Sequence, residues 1–186
     1  MVTKISGDTG VDNIKDGIIT SSKLASGVGG KTLQVLSTTK TDTFVTTNTL
    51  ASGGAAITGL SVTITPSSTS SKFLLSCVLS CDGTSAVTQC YAWLARGSTK
   101  IGAGDAVGNR IGTGGRFYYA SNDISGTIPM QYLDLPSTLS PITYNVYIAT
   151  ETAAGSVVVN RTISDTDNTT NGSRQSSTLT VMEIAG

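Results

Sequence analysis

The chain has 186 residues, of which 54 are Ser or Thr and 21 are Gly, and only 13% are charged. Twelve basic residues balance twelve acidic ones and no charge run exceeds two, so the chain lacks both the basic stripe that displaces counterions from nucleic acid and the polybasic signal for an anionic membrane. With no His at all, every triad or dyad that uses imidazole is excluded.

Residues 1–31 read differently from the rest of the chain. Val11, Ile14, Ile18, Ile19, Leu24 and Val28 are spaced among glycines that break any long element. A brief helix is predicted at about 20–26, capped by Thr20, Ser21 or Ser22 and ended by Gly27. The segment is too short to be a domain, so Ile14, Ile18, Ile19 and Leu24 are expected to anchor the chain against copies of itself or another protein. GVGG at 27–30 reads as a hinge. The start, MVTKISGDTGVDN, lacks the apolar core of a secretion signal, and no apolar run approaches the roughly 18 residues of a membrane span. The chain is therefore expected to fold where it is made, with no membrane insertion.

Residues 32–186 read as strand after strand. LQVLSTTK and FVTTNTL come first. ITGLSVTITP comes next, where Leu60, Val62 and Ile64 alternate with Ser61, Thr63 and Thr65 before Pro66 breaks the run. KFLLSCVLSC is apolar on both faces, with Phe73, Leu75, Cys77, Leu79 and Cys81 on one side and Leu74 and Val78 on the other. Such a strand is central in a core or faces a second subunit. CYAWLARG, STKIG, RFYYA, TIPMQYLDL, ITYNVYIAT, SVVVNR and SSTLTVMEI complete the series. The turn signals between these runs predict an all-β fold of roughly nine or ten strands, a single β-sandwich or jelly roll.

The chemistry-bearing residues are few. Cys77 and Cys81 are four apart along one strand, about 13 Å at the usual rise, too far for a disulfide; three small buried free thiols are expected, with Cys90 facing either of the others across a hairpin as the alternative. The acid–base candidates are Asp105, Asp123, Asp134, Glu151, Asp165 and Asp167, most of them in turn-like contexts where Asp serves its own backbone. No catalytic residue, metal or cofactor is expected. DTDNTTNG offers oxygens for a calcium loop but lacks the Glu that would complete one. Sequons begin at Asn160, Asn168 and Asn171. Trp93, Tyr118, Tyr119 and Tyr132 are candidates for stacking on sugars, though aromatic residues in strands more often serve core or interface. Contact with a ligand is expected in two loops. One is the glycine-rich stretch 102–115 with Asp105, Asn109 and Arg110; the other is the polar tract 164–175 with Asp165, Asp167, Asn168, Asn171, Arg174 and Gln175.

Several stretches carry a resemblance. NIKDGIITSSKLASG looks like the short segments that attach or build bacteriophage fibre stems. KTDTFVTT, GLSVTITPSSTSSKFLLSC, LARGSTKIGAGDA and SSTLTVMEIAG resemble a group of small virion proteins of marine bacteriophages, notably those of cyanobacteria. The resemblance implies a homotrimer of β-sandwich or jelly-roll subunits, some similar to tumour-necrosis-factor-like trimers, and brings no catalytic residue with it. Residues 1–31 would then join other virion proteins, and the sandwich would form a knob whose loops meet a host-surface glycan or protein. Two alternatives stand beside this one: a capsid-surface decoration protein that binds no receptor, and a depolymerase domain acting on bacterial polysaccharide. Competition by soluble protein for host adsorption separates the first two, and release of reducing sugar ends identifies the third.

Overall fold

The computed structural model describes residues 32–84, 89–118, 123–170 and 172–186. The chain divides between residues 31 and 32. The expected helix and the anchor residues Ile14, Ile18, Ile19 and Leu24 lie outside the described residues, as do Asn171 and Tyr119.

Among the described residues the fold is all-β, with eleven strands: β1 (Thr32–Lys40), β2 (Phe44–Thr46), β3 (Ala55–Ile64), β4 (Lys72–Gly83), β5 (Gln89–Arg96), β6 (Thr99–Ile101), β7 (Gly115–Tyr118), β8 (Gly126–Asp134), β9 (Ile142–Thr150), β10 (Val157–Val159) and β11 (Ser177–Ile184). They form two antiparallel sheets. In the first, β4 lies between β11 and β8, β1 flanks β11, and the short β10 and β2 continue from the end of β4. In the second, the order is β3, β9, β5, with β6 and β7 sharing the far side of β5. The sheets face each other over one apolar core, as expected of a β-sandwich.

The alternation written in the sequence is what builds this core. Leu60, Val62 and Ile64 of β3 point inward and are buried, while the hydroxyl residues between them face out. Phe73, Leu75, Cys77, Leu79 and Cys81 form the inner row of β4, met from the other sheet by Cys90, Ala92 and Leu94 of β5 and by Tyr144, Val146 and Ile148 of β9. Burial among these side chains pushes the Cys77 thiol up to about 12.

Two expectations need correction. Cys90 does not face Cys77 or Cys81 across a hairpin, because β4 and β5 pair with other strands and belong to opposite sheets. FVTTNTL is a strand only over Phe44–Thr46. Its remainder turns: Thr49 accepts hydrogen bonds from Ser52 and Gly54, and Thr49 bridges to Thr150 of β9. The sequon at Asn160 begins on a buried residue. Asn160 is fully buried at φ 62°, its side-chain NH2 donating to the Lys40 and Asp42 carbonyls and its amide oxygen accepting from the Ser177 hydroxyl at 2.6 Å.

Polar groups seal the core where loops cross its ends. Glu183 on β11 is fully buried and accepts from the Ser67 backbone N–H at 2.6 Å, from the Ser67 hydroxyl and from Gln34. Burial alone would raise its pKa; Ser71, Gln34 and Ser67 around the carboxylate outweigh that and hold it below the ordinary value. Asp82 on β4 is also buried and, among the described residues, accepts from the Gly83 and Ile163 N–H groups; desolvation outweighs these and leaves its pKa raised.

Two of the long edges, β8 and β3, are blunted. Pro129 sits in β8 and removes one donor from that edge, and β3 bulges between Ala56 and Ser61, where Gly59 takes φ 80°. Both devices discourage pairing with a strand of another chain.

Candidate functional site

The outward residues of β5 and β9 form a second, smaller cluster on the far side of the second sheet. Trp93, Ala95 and Ala149 are buried there although they point away from the main core, with Leu50, Tyr91 and Tyr147 packed against them. Trp93 stacks on Tyr147 with ring centres 5.6 Å apart. Two loops cover it. The turn at 49–54 presses Gly54 onto the indole so closely that a Cβ there would lie 2.4 Å from it, and φ 65° already favours glycine at this position.

The second cover is the glycine-rich stretch 102–114. It is a hairpin arm, closed by Gly104 N–H to the Thr113 carbonyl and by a pair of bonds between Val107 and Arg110, with Gly108 at φ 60° in the turn. Gly112 passes so near the Gly104 carbonyl that a Cβ would lie 1.8 Å from its oxygen. The close approach that glycine permits here is therefore of backbone to backbone. Lys100 ties the arm down: its Nζ lies 4.1 Å from the Trp93 ring centre and donates to the Gly112 carbonyl at 2.7 Å. Burial in that position lowers the Lys100 pKa.

Between the arm and the 49–54 turn lies a groove of about 470 Å³. Its floor is apolar, made by Leu50, Ala51 and the half-buried Tyr91. Its rim carries Asn109, Arg110, Arg116 and Glu151, all exposed. Arg116 of β7 stands directly opposite Tyr91 of β5 in the strand register, so the guanidinium and the ring share one face of the sheet. Two hydrogen bonds hold the arginines. Arg116 donates to the Gln89 side chain at 2.8 Å, and Arg110 donates through Nε to the Val107 carbonyl at 3.2 Å.

The polar tract behaves differently. It lines a smaller hollow of about 210 Å³ that includes Asp165, Asp167, Asn168 and Arg174. Its charge is turned inward: Asp165 accepts from Arg174 at 2.8 Å and lies 3.9 Å from Arg161. Asn168 accepts from the Thr170 N–H in a local turn, and Gln175 donates to the Ser125 and Ser173 hydroxyls.

Of the residues expected to meet a ligand, Asn109 and Arg110 line the larger groove, Asp105 lies on the same arm but outside its lining, Asp165, Asp167, Asn168 and Arg174 line the smaller hollow, and Gln175 lies outside that lining. Tyr91 and Arg116 escaped the sequence reading. The signal for Tyr91 was present, since CYAWLAR places Tyr91, Trp93 and Ala95 on one face; Arg116 had none beyond its place in a strand. Trp93, expected as a stacking candidate, is covered at 3% exposure. Among the acid–base candidates, Asp134 is buried, accepting from Tyr144 at 2.7 Å and from Arg96 at 3.2 Å, and Asp123 accepts from the Ser164 N–H.

No family model and no curated protein matches the chain. Among solved structures it is similar to particles of infectious bursal disease virus. A derived T=1 particle is 16% identical, with 82% of this chain and 36% of that chain covered and a TM-score of 0.38. The Gx strain is 17% identical, with 82% and 38% covered and a TM-score of 0.37; the Gt strain is 14% identical, with 98% and 45% covered and a TM-score of 0.38. The chain thus spans less than half the length of these proteins. Likeness at this level assigns neither topology nor function.

Proposed function

We propose that this chain is a virion structural protein, one of three copies in a bacteriophage fibre or knob appendage, and not an enzyme. The observation that carries the reading is a row of apolar side chains across the outer face of the first sheet. Val35, Met182, Leu74 and Leu133 are register partners on four neighbouring strands, β1, β11, β4 and β8. Val35 and Leu133 are 51% and 42% exposed, and no loop of the described residues covers them as the 49–54 turn and the arm cover Trp93. Serine and threonine surround the row, and Lys72 is the one charged residue at the outward positions of β11 and of β4 as far as Ser80. A broad, nearly uncharged sheet face of this kind suits burial against another subunit. The blunted edges at β8 and β3 favour association by the face over association at those edges.

The strand order supports the same reading. β1-β11-β4-β8 facing β3-β9-β5-β7 is the order of an eight-stranded jelly roll, an architecture that viral capsid domains share with lectins and cupins. The bacteriophage assignment, the threefold count and the joining of residues 1–31 to other virion proteins rest on the sequence resemblance. The groove on the second sheet is the surface offered to a host glycan or protein. Glu151 is the one carboxylate in its lining, whereas glycoside hydrolysis in its usual form needs two.

Sedimentation equilibrium on the full chain tests the proposal. A species of three times 19.0 kDa is expected, reduced to one copy by Leu74→Lys, which places a charge in the middle of the row. A wild-type monomer at micromolar concentration would overturn it.

A further inference from the structure

The arginines of this domain are unevenly satisfied. Five lie among the described residues; Arg96 pairs with Asp134, and Arg161 and Arg174 both reach Asp165. Neither Arg110 nor Arg116 has a carboxylate within ion-pair distance among the described residues, and both line the one groove beside Tyr91. Arg110 stands at the tip of the arm and Arg116 on β7, into which the returning side of the arm leads, and the register of β7 on β5 sets Arg116 opposite Tyr91. Among the described residues each side chain makes a single hydrogen bond, which leaves most of its N–H donors available to a ligand.

From this juxtaposition we infer that the groove binds an acidic saccharide, with a sugar carboxylate on Arg110 and Arg116 and a pyranose face on Tyr91. A guanidinium matches a carboxylate with two parallel bonds. An aromatic ring half-buried on a rigid strand presents a flat apolar face at little entropic cost. Glu151, Asn109 and Thr113 complete the rim with groups that accept from and donate to hydroxyls. The same Glu151 disfavours a ligand that is anionic along its whole length, because one negative charge would face another. A ligand carrying both free hydroxyls and a carboxylate on a ring meets all of these groups. At about 470 Å³ the groove is of a size that holds two or three sugar rings. The lid of the groove is the arm itself, which Lys100 fixes through Trp93 and Gly112, so the site is formed before the ligand arrives.

This inference rests on the host-contact part of the proposed function and is tested apart from it. Full-length protein is titrated calorimetrically with trigalacturonate and, separately, with its carboxyl-reduced counterpart. Saturable binding of the acidic trimer is expected, with the neutral trimer weaker by about tenfold or more, the scale of a lost charge-assisted pair. Arg110→Ala and Arg116→Ala should each lose about tenfold in affinity with unchanged melting temperature, and Tyr91→Ala should lose affinity for both trimers. Equal binding of the two trimers, or sodium sulfate binding as tightly as the acidic trimer, would overturn the saccharide assignment. So would no binding. Sedimentation of the same samples separates the two ideas: a trimer that ignores the sugar removes the groove and keeps the subunit, while a monomer that binds it does the reverse.

Discussion

The outer faces of the two sheets carry similar apolar side chains and meet different fates. On the second sheet, Trp93, Tyr147 and Ala149 face away from the main core and are covered by the 49–54 turn and the 102–114 arm. On the first, Val35, Met182, Leu74 and Leu133 face outward in register and nothing in the described chain covers them. Both faces break simple inside–outside alternation. One break is satisfied within the chain, and the other stays open among the described residues. An outward apolar residue in a strand is thus informative only together with the loops that do or do not reach it.

That contrast makes unequal demands on the two faces. The largest effect is expected from Trp93→Ala, which removes a covered side chain and should destabilise the domain by roughly 3–5 kcal/mol, the range for large aromatic truncations; urea denaturation measures it. A loss below about 1 kcal/mol would mean the second cluster is not a true core. Lys100→Met keeps the stem on the indole but removes the charge and the bond to Gly112, and about 1–2 kcal/mol should be lost. Amide exchange in the arm should accelerate with it.

Acid should act on the first sheet in two opposite senses. Glu183 has a folded pKa below the ordinary 4.5, so its stabilisation is complete above that value and is lost as pH falls through the lower folded one. Asp82 has a folded pKa above 3.8, so its contribution is favourable below that value and lost as pH rises through the folded one. Glu183→Gln should therefore flatten the loss of stability below pH 4.5, whereas Asp82→Asn should steepen it; urea midpoints across that range decide. The smallest effect on stability belongs to the double change Val35→Ser with Leu133→Ser. At exposed positions it should shift the isolated subunit by about 0.5 kcal/mol or less, while abolishing association in sedimentation. A large loss of stability in the monomer would show that the row serves the subunit and not its assembly.

Much of the fold is legible in the sequence because strands declare themselves locally. The alternation in ITGLSVTITP names Leu60, Val62 and Ile64 as core without reference to any other strand, and the doubly apolar KFLLSCVLSC marks β4, which lies inside its sheet with its second side in the row. Partnership is not local. β4 and β5 are neighbours in sequence and look like a hairpin, yet they sit in opposite sheets, because each buries its apolar side only by facing the other. The groove divides in the same way. Asn109 and Arg110 belong to a loop whose glycines announce it, whereas Tyr91, Arg116 and Glu151 converge from β5, β7 and the end of β9 through register alone. Asn160 was readable as a sequon and is in fact a buried tie between four segments, a role that depends on contacts with Lys40, Ser80 and Ser177 far along the chain.

The place of β11 in the first sheet has a consequence for synthesis on the ribosome. It follows every other described strand in the chain, and it is inserted between β1, whose partner it is, and β4. Until residues 177–184 have emerged, β1 waits without a strand to pair with and one side of β4 stays open. A translation product that stops early carries those open strands and lacks Met182, the second member of the outer row. Pairing of β1, closure of the open side of β4 and completion of the outer row therefore all wait on one segment, residues 177–184.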